Sequence, residues 1–379
     1  LIETSNDYAR GLLHGIRDWI REHHAWSIYL AEQSRGDRPP SWLARWNGDG
    51  IIARIETPEI ARAVRRSGLP AVDMSAARLL PQLPWVETDD QAIAALAADH
   101  LLERGFQHLA YCGDSRFHWS QWRGEAFEAF LASRGMQSAS YEPRTSKPAG
   151  WEKELADLRA WIKKLPRPVG IFACYDSRGR QVIEACRQLG LAVPDDVAVL
   201  GVDNDDLLCD LCDPPMSSIE PDTRQSGYVA ASLLDAKMRG ENIPPEAHRI
   251  RPLGVVVRQS TDVVAVNDRE ISEAVRFIRE HACDGIQVTD VLQRTTLSRR
   301  VFETRFRQLI GHSPHEQIVR IRLERAKQLM RDTELSLAVI ARRSGFRHAE
   351  YLSVVFSQKV GQSPSRYRLG DKAAGDRSS

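Results

Sequence analysis

Val288-Thr289-Asp290-Val291-Leu292, then Leu297-Ser298-Arg299-Arg300-Val301-Phe302-Glu303-Thr304-Arg305-Phe306, then Gly311-His312-Ser313-Pro314, is a stretch that the chain states twice. It returns in the same order as Leu337-Ala338-Val339-Ile340-Ala341, then Gly345-Phe346-Arg347-His348-Ala349-Glu350-Tyr351-Leu352-Ser353-Val354-Val355-Phe356, then Gly361-Gln362-Ser363-Pro364. Each copy reads as a short apolar helix, a turn, a second helix with polar outward positions, and a Gly-x-Ser-Pro stop. That is a helix-turn-helix, whose second helix enters the major groove of DNA. Double-stranded promoter DNA with paired half-sites is the expected partner of this end of the chain.

Pro314 to Met330 predicts one long helix with Ile318, Ile321, Leu323, Ala326 and Leu329 on its apolar side. It would join the two copies and space them rigidly. Leu297, Val301, Phe302 and Phe306 are expected in the core of the first copy, with Ser298 as helix cap. Tyr351, Leu352, Val355 and Phe356 are expected to be mainly structural in the second. Early exposed residues of a recognition helix face base edges, and basic residues around them meet phosphates. Arg299, Arg300, Arg347, His348, Glu350 and Ser353 are therefore the candidate base-facing residues, with Thr304 also outward. Arg305, Arg307 and Lys359 are candidate phosphate partners. Glu350 can accept from a cytosine amino group or cap its own helix.

The charge distribution agrees. The net charge of +1 hides an asymmetry: residues 268–379 hold 21 Lys and Arg against 14 Asp and Glu, and the preceding 267 residues hold 31 against 37. A basic module on a mildly acidic one suits nucleic-acid binding confined to one end. At 379 residues two or three domains are expected. No apolar run approaches a membrane span and no leader pattern is present, so a cytoplasmic protein, nucleoid-associated when on DNA, is expected. The chain opens at Leu1-Ile2-Glu3 without Met, as if a first strand were entered partway. The six cysteines are scattered; Cys209 and Cys212 form a lone C-x-x-C without a second ligand pair. No metal and no cofactor are expected.

The first 260 residues alternate strand-like and helix-like segments. Helices are read at Tyr8–Ile20, around Trp42–Trp46, and over 59–68, 91–104, 123–134, 151–165, 177–189 and 223–238. Strands are read at 27–30, 50–54, 70–73, 108–112, 169–173, 197–202 and 253–257. Such alternation predicts parallel sheets covered by helices, with too many units for one small domain. The expected fold is a two-lobed α/β sensor at 1–257, with crossovers between lobes near 100, 220 and 250. A linker at 258–268 follows, then an all-α module with two helix-turn-helix motifs at 269–369 and a disordered tail at 370–379.

Ligands of open parallel sheets sit beyond the carboxyl ends of strands. That rule selects Asp73, Asp176, and Asp203 with Asn204. Arg123, after the Cys112-Gly113-Asp114 turn, and Asp7 and Tyr8, at the first helix, join them. Carboxylates and amides bond hydroxyls, Arg supplies a rigid fork of donors, and an aromatic ring covers the apolar face of a sugar. For each, a helix cap is the competing reading. No nucleotide-binding, metalloprotease or nucleophile-elbow motif occurs, and no aspartate is paired with a nucleophile. An enzyme is not expected.

The segment from about Ile271 to Leu369 resembles the DNA-binding domain of the AraC/XylS family. The resemblance is carried by Leu323-Glu324-Arg325-Ala326-Lys327-Gln328-Leu329-Met330, Ile340-Ala341, Gly345-Phe346, Tyr351, Phe356, Gly361, Pro364 and Tyr367-Arg368. Leu352 and Arg347 depart from it. The preceding part resembles the LacI/GalR sensor, a periplasmic-binding-protein-like fold. It does so through Arg123-Gly124-Glu125-Ala126-Phe127, Asp176-Ser177-Arg178-Gly179, Val199-Leu200-Gly201-Val202-Asp203-Asn204 and Pro215-Met216-Ser217-Ser218-Ile219. This resemblance implies Arg123 and Asp203 as the main hydroxyl contacts, with Tyr175 standing where Asn often precedes Asp176. Sensor followed by reader is similar to the xylose-responsive regulators of enteric bacteria, with further likeness at Tyr8 and at Trp119. It implies a D-xylose-dependent activator that binds DNA as a homodimer and meets RNA polymerase. A response to another pentose or monosaccharide, a repressor, a transport component and a sugar-modifying enzyme are the alternatives.

Overall fold

The computed structural model describes residues 1–32, 34, 37–143, 150–262, 268–333 and 335–368. It divides into two compact units, Leu1–Val263 and Val264–Ser379. The expected tail at 370–379 and the middle of the expected linker, 263–267, lie outside the described residues.

The first unit holds α1 (Asp7–Glu22), β1 (Ile51–Ala53), α2 (Pro58–Ser67), β2 (Ala71–Asp73), β3 (Trp85–Thr88), α3 (Asp90–Glu103), β4 (His108–Cys112) and α4 (His118–Ser133). It continues with β5 (Ser138–Tyr141), α5 (Trp151–Ile162), β6 (Val169–Ala173), α6 (Asp176–Gln188), β7 (Val197–Val202) and α7 (Asp206–Asp210). It ends with β8 (Ser217–Glu220), α8 (Thr223–Met238), β9 (Ala247–Ile250) and β10 (Gly254–Val256). Two sheets result, one ordered β1-β2-β3-β9 and the other β10-β8-β7-β6-β4-β5. Every described pairing is parallel except β10 with β8. The chain therefore passes from the first sheet to the second after β3, returns after β8 and crosses again after β9.

The central strands β6 and β7 are buried at every residue, as strands covered on both faces must be. In the first lobe α1 and α8 lie in very close contact. A Cβ on Gly227 would stand 1.9 Å from the Leu12 carbonyl oxygen, so only glycine lets the two backbones approach this far. Leu12, Ile16 and Trp19 then pack with Ala230, Ala231 and Leu234.

Three readings from sequence are corrected. Residues 27–30 are not a strand: Ile28, Tyr29 and Leu30 are exposed, and Tyr29 meets the rings of Trp42 and Trp46. The segment with Trp42 and Leu43 is only a short 3-10 turn, Ser41–Arg45, begun after Pro40. Residues 258–262, expected to open a linker, are built into the sensor. Ser260 and Thr261 are fully buried; the Ser260 hydroxyl donates to Val199 O, and Thr261 Oγ1 stands 2.9 Å from His100 Nε2. At the other end, Leu1 N donates to Ile52 O at 2.6 Å and Leu1 O accepts from Arg54 N at 3.0 Å, which ties the first residue alongside β1.

The second unit holds α9 (Arg269–His281), α10 (Val288–Leu292), α11 (Arg299–Ile310), α12 (Pro314–Asp332), α13 (Leu337–Arg343) and α14 (Ala349–Val360). Asp268 caps α9, and Ser313 with Glu316 forms a reciprocal capping box on α12. One core gathers Ile271, Val275, Ile278, Phe302, Phe306 and Ile318; the other gathers Leu323, Ala326, Ile340, Phe346, Leu352 and Phe356. Helix α12 contributes to both. Gly345, at φ 77°, makes the second turn: a Cβ there would lie 2.6 Å from Ala282 O. Val301, expected inside, is 41% exposed, because Phe302, Phe306 and Ile310 already define the inner face of α11. Tyr351, expected to be structural, is 46% exposed. Ser298 occupies the cap position of α11 without a capping side-chain bond.

Candidate functional site

In the first unit, residues from both lobes converge on one cavity. The first lobe supplies Tyr8 from α1, Arg54 after β1, Met74 and Ala76 after β2, and Glu87 and Thr88 at the end of β3; the second supplies Trp119 and Arg123 from α4 and Asp203 after β7. All but the α1 and α4 residues stand at carboxyl ends of parallel strands, as the fold requires.

Arg123 is 4% exposed and rigidly held. Its Nε donates to Asp90 Oδ1 at 2.9 Å, its Nη2 lies 2.7 Å from the same oxygen, and its Nη1 donates to Cys174 O. Burial opposes its charge, and Asp90 more than restores it. The guanidinium sits 5.1 Å from the Trp119 ring centroid, and that ring stacks on Phe117. Across the cavity Arg54 donates to Glu3 at 3.1 Å and Glu56 at 2.5 Å, and lies 5.4 Å from the Tyr8 ring. Burial, reinforced by the Asp90 carboxylate, pushes the Glu87 carboxyl up to about 9, so it carries a proton at neutral pH. The wall thus offers two fixed cations, a neutral acid, a phenol, a hydroxyl and the Asp203 carboxylate.

Asp203 and Asn204 both have positive φ, 111° and 49°, uncommon in residues with a Cβ. Asp203 N donates to Ile219 O at 3.0 Å and Asn204 N to the Ser218 hydroxyl at 3.0 Å, which holds this turn at the end of β7. The strain places the Asp203 side chain at the cavity.

Of the nine candidates from sequence, Asp203, Arg123, Tyr8 and Trp119 line this cavity and five do not. Asp7 is exposed and pairs with Arg10 at 3.3 Å; Asn6, not Asp7, caps α1. Asp73 is buried under the loop after β1, where its Oδ1 accepts from Ile55 N at 3.4 Å; burial raises it to about 7. Asp176 is consumed internally, accepting from Ser218 Oγ at 2.6 Å and Asp205 N at 2.9 Å. The Tyr175 hydroxyl donates to Asp114 at 3.4 Å, and its ring meets Trp119 edge-on. Asn204 Oδ1 accepts from Arg258 Nη1 at 2.9 Å; Arg258 also pairs with Asp206 at 2.6 Å and Asp210 at 3.2 Å. The Asp203–Asn204 turn is thereby tied to the segment that leaves the sensor.

Sequence reasoning missed Arg54, Glu87 and Thr88. The strand-end rule reaches Arg54 once applied to β1. Glu87 and Thr88 required β3, whose four residues, Trp-Val-Glu-Thr, lack an apolar run. Among the described residues no group of three or more His, Cys, Asp or Glu is placed to hold a metal, and no helix is long and apolar enough to cross a membrane.

In the second unit Arg299, Arg300, Thr304 and Arg307 line one open depression with Glu303, Gln308 and Ser313. Arg299 pairs with Glu303 at 2.9 Å, and Arg305 turns away to Asp268 at 3.4 Å. Arg347, His348, Glu350 and Lys359 are exposed on or beside α14. Ser353 is half-buried, its hydroxyl donating to Ala349 O at 2.9 Å, which withdraws it from the outward face.

Three family models match in succession. Residues 1–91 match the XylR N-terminal domain, residues 98–261 a periplasmic binding protein-like domain, and residues 291–370 a helix-turn-helix domain. The xylose operon regulatory protein of Escherichia coli strain K12 is 30% identical over 378 residues, 97% of this chain and 95% of that protein. The chain belongs to the xylose operon regulatory protein family. The Haemophilus influenzae member is 29% identical and covers 97% of each chain. A solved structure described as the xylose-binding transcription activator xylR matches with TM-score 0.81 at 29% identity, covering 98% of this chain and 97% of that one.

This member of the family is a DNA-binding transcriptional regulator. One expectation is corrected. The AraC/XylS label for the reader is not what these comparisons support. The model over 291–370 is described only as a helix-turn-helix domain, and the partial matches are HTH-type regulators named GntR and MalR and LacI family regulators of known structure. The reader is accordingly described by its motif alone.

Proposed function

We propose that this family member is a D-xylose-dependent activator of xylose catabolism genes, with the sugar held in the cavity between Tyr8, Arg54, Glu87, Thr88, Trp119, Arg123 and Asp203. The observation that carries the reading is the convergence of these groups, from both lobes, on one cavity. A pentose has hydroxyls on every side and one apolar face. Asp203 accepts from two hydroxyls, and the Arg123 and Arg54 guanidiniums donate to others. The protonated Glu87 carboxyl donates as well as accepts, and the Trp119 ring covers C–H groups. Because the donors come from both lobes, the sugar favours the arrangement in which all of them reach it. The names of the full-length relatives supply the choice of xylose among monosaccharides.

The response reaches the promoter through a homodimer whose paired readers engage two half-sites and place the protein beside RNA polymerase. Xylose shifts DNA engagement only by its differential affinity for the two arrangements of the sensor. In the reader Arg300, Thr304 and Arg307 face bases or phosphates directly. Arg299 must first exchange Glu303 for DNA, and Arg305 must exchange Asp268.

The test is calorimetric titration of pentoses and hexoses, D-xylose first, with DNA footprinting with and without sugar. Xylose should bind most tightly and change the protection pattern. Asp203→Ala should abolish the titration while DNA binding persists. An unchanged titration in D203A removes the pocket assignment, and identical protection with and without every sugar removes the switch.

A further inference from the structure

The two reading helices match at an offset of fifty residues. Phe302 and Phe306 of α11 correspond to Leu352 and Phe356 of α14 as fully buried plugs, and Gly311 and Gly361 close the helices at φ 86° and 80°. At about 100° per residue, the outward sides hold 300, 304, 307 and 308 in one copy and 350, 354, 357 and 358 in the other. All eight residues are exposed. In α11 they are Arg300, Thr304, Arg307 and Gln308; in α14 they are Glu350, Val354, Ser357 and Gln358. A carboxylate replaces one guanidinium, a small hydroxyl the other, and an isopropyl group replaces the threonine hydroxyl.

The second face is therefore a different chemical surface. Val354 is 54% exposed, and Tyr351 beside it 46%. Neither closes the core, which Leu352, Val355 and Phe356 fill. The positive charge on and beside α14 stands at its ends, in Arg347 before the helix and Lys359 in its last turn. In the major groove an apolar side chain has one complementary group, the thymine methyl. A carboxylate accepts from the cytosine amino group and is repelled by the acceptor edge of guanine, which instead takes arginine.

We infer that the two subsites of each half-site are unlike: α11 reads guanine through Arg300, whereas α14 reads pyrimidines, a cytosine through Glu350 and a thymine methyl through Val354 flanked by Tyr351. This rests on α11 and α14 both lying in the major groove. It makes the half-site directional, so that the internal repeat of the protein has no counterpart repeat in the DNA.

The experiment is selection from random duplexes with the full chain and D-xylose, followed by replacement of each thymine in the selected site with uracil. One methyl removed from one position should weaken wild-type binding about fourfold, the equivalent of ~0.8 kcal/mol for a buried carbon. Val354→Ala should lose sensitivity at that position alone, and Val354→Thr, which keeps a methyl, should retain it. Glu350→Ala should relax one cytosine position by about fivefold or more and leave the others unchanged. The inference is overturned if no uracil replacement is felt more by wild type than by V354A, or if E350A selects the same base everywhere. A chain that selects no sequence overturns the groove reading itself, and this one with it.

Discussion

Arg123 and Arg300 are the same side chain put to opposite use. Arg123 is 4% exposed, locked on Asp90 and the Cys174 carbonyl, and its charge is neutralised before any ligand arrives. Arg300 stands exposed on an open surface. In the proposed function the cleft recognises a neutral, polyhydroxylic molecule, so its charges must be paired and held still while presenting spare donors. In the proposed function the reading face meets a polyanion that brings its own counter-charge, so its cations stand exposed, and those that are paired hold exchangeable partners. Burial costs stability when a partner is removed; exposure costs only affinity.

The largest break in that contrast should come from Arg123→Ala. It leaves Asp90 buried without its partner and should cost about 3–5 kcal/mol of sensor stability in denaturant titration, along with sugar binding. Arg300→Ala should change stability by no more than about 0.5 kcal/mol yet cost about 1–3 kcal/mol in DNA affinity, concentrated at one base position. A large loss of stability in R300A, or none in R123A, would erase the distinction.

A third prediction concerns pH. Glu87 titrates near 9 when folded against an ordinary value near 4.5, so the folded chain binds this proton more tightly than the unfolded one. Its contribution is fully present below about pH 4.5 and is lost as pH rises toward 9, by at most ~1.4 kcal/mol per unit. Asp73, raised to about 7, adds in the same direction between roughly pH 4 and 7. Chemical denaturation across pH 5–9 should show the slope, and Glu87→Gln should flatten it. The smallest effect is ionic: Arg307→Ala should reduce the slope of log affinity for DNA against log salt by about 1, while sugar affinity stays insensitive to salt.

The reader was more legible in sequence than the cleft, for a physical reason. A helix-turn-helix is local: its turn glycines, plugs and stops lie within thirty residues, and only the finer orientation of Val301, Tyr351 and Ser353 escaped the pattern. The cleft is assembled from four separated strand ends and two helices. Asp203 and Arg123 could be read because they follow strong apolar strands or resemble a known sensor. Asp176 follows the same rule and yet turns inward, because Ser218 and the Asp205 amide reach it first. Glu87 was hidden because a strand of Trp, Val, Glu and Thr at a sheet's inner end shows no periodicity. The Asn204–Arg258 contact joins residues 54 positions apart and has no local signature.

Helix α12 belongs to two cores at once, with Ile318 in the first and Leu323, Ala326 and Leu329 in the second. Its 19 residues span about 28 Å, at ~1.5 Å each. The reader is therefore a caliper. One added base pair displaces the second subsite by about 3.4 Å and a tenth of a turn, and α12 can follow only by opening a core. With both reading helices in the major groove, as proposed, distance along the duplex is recognised as well as the bases themselves.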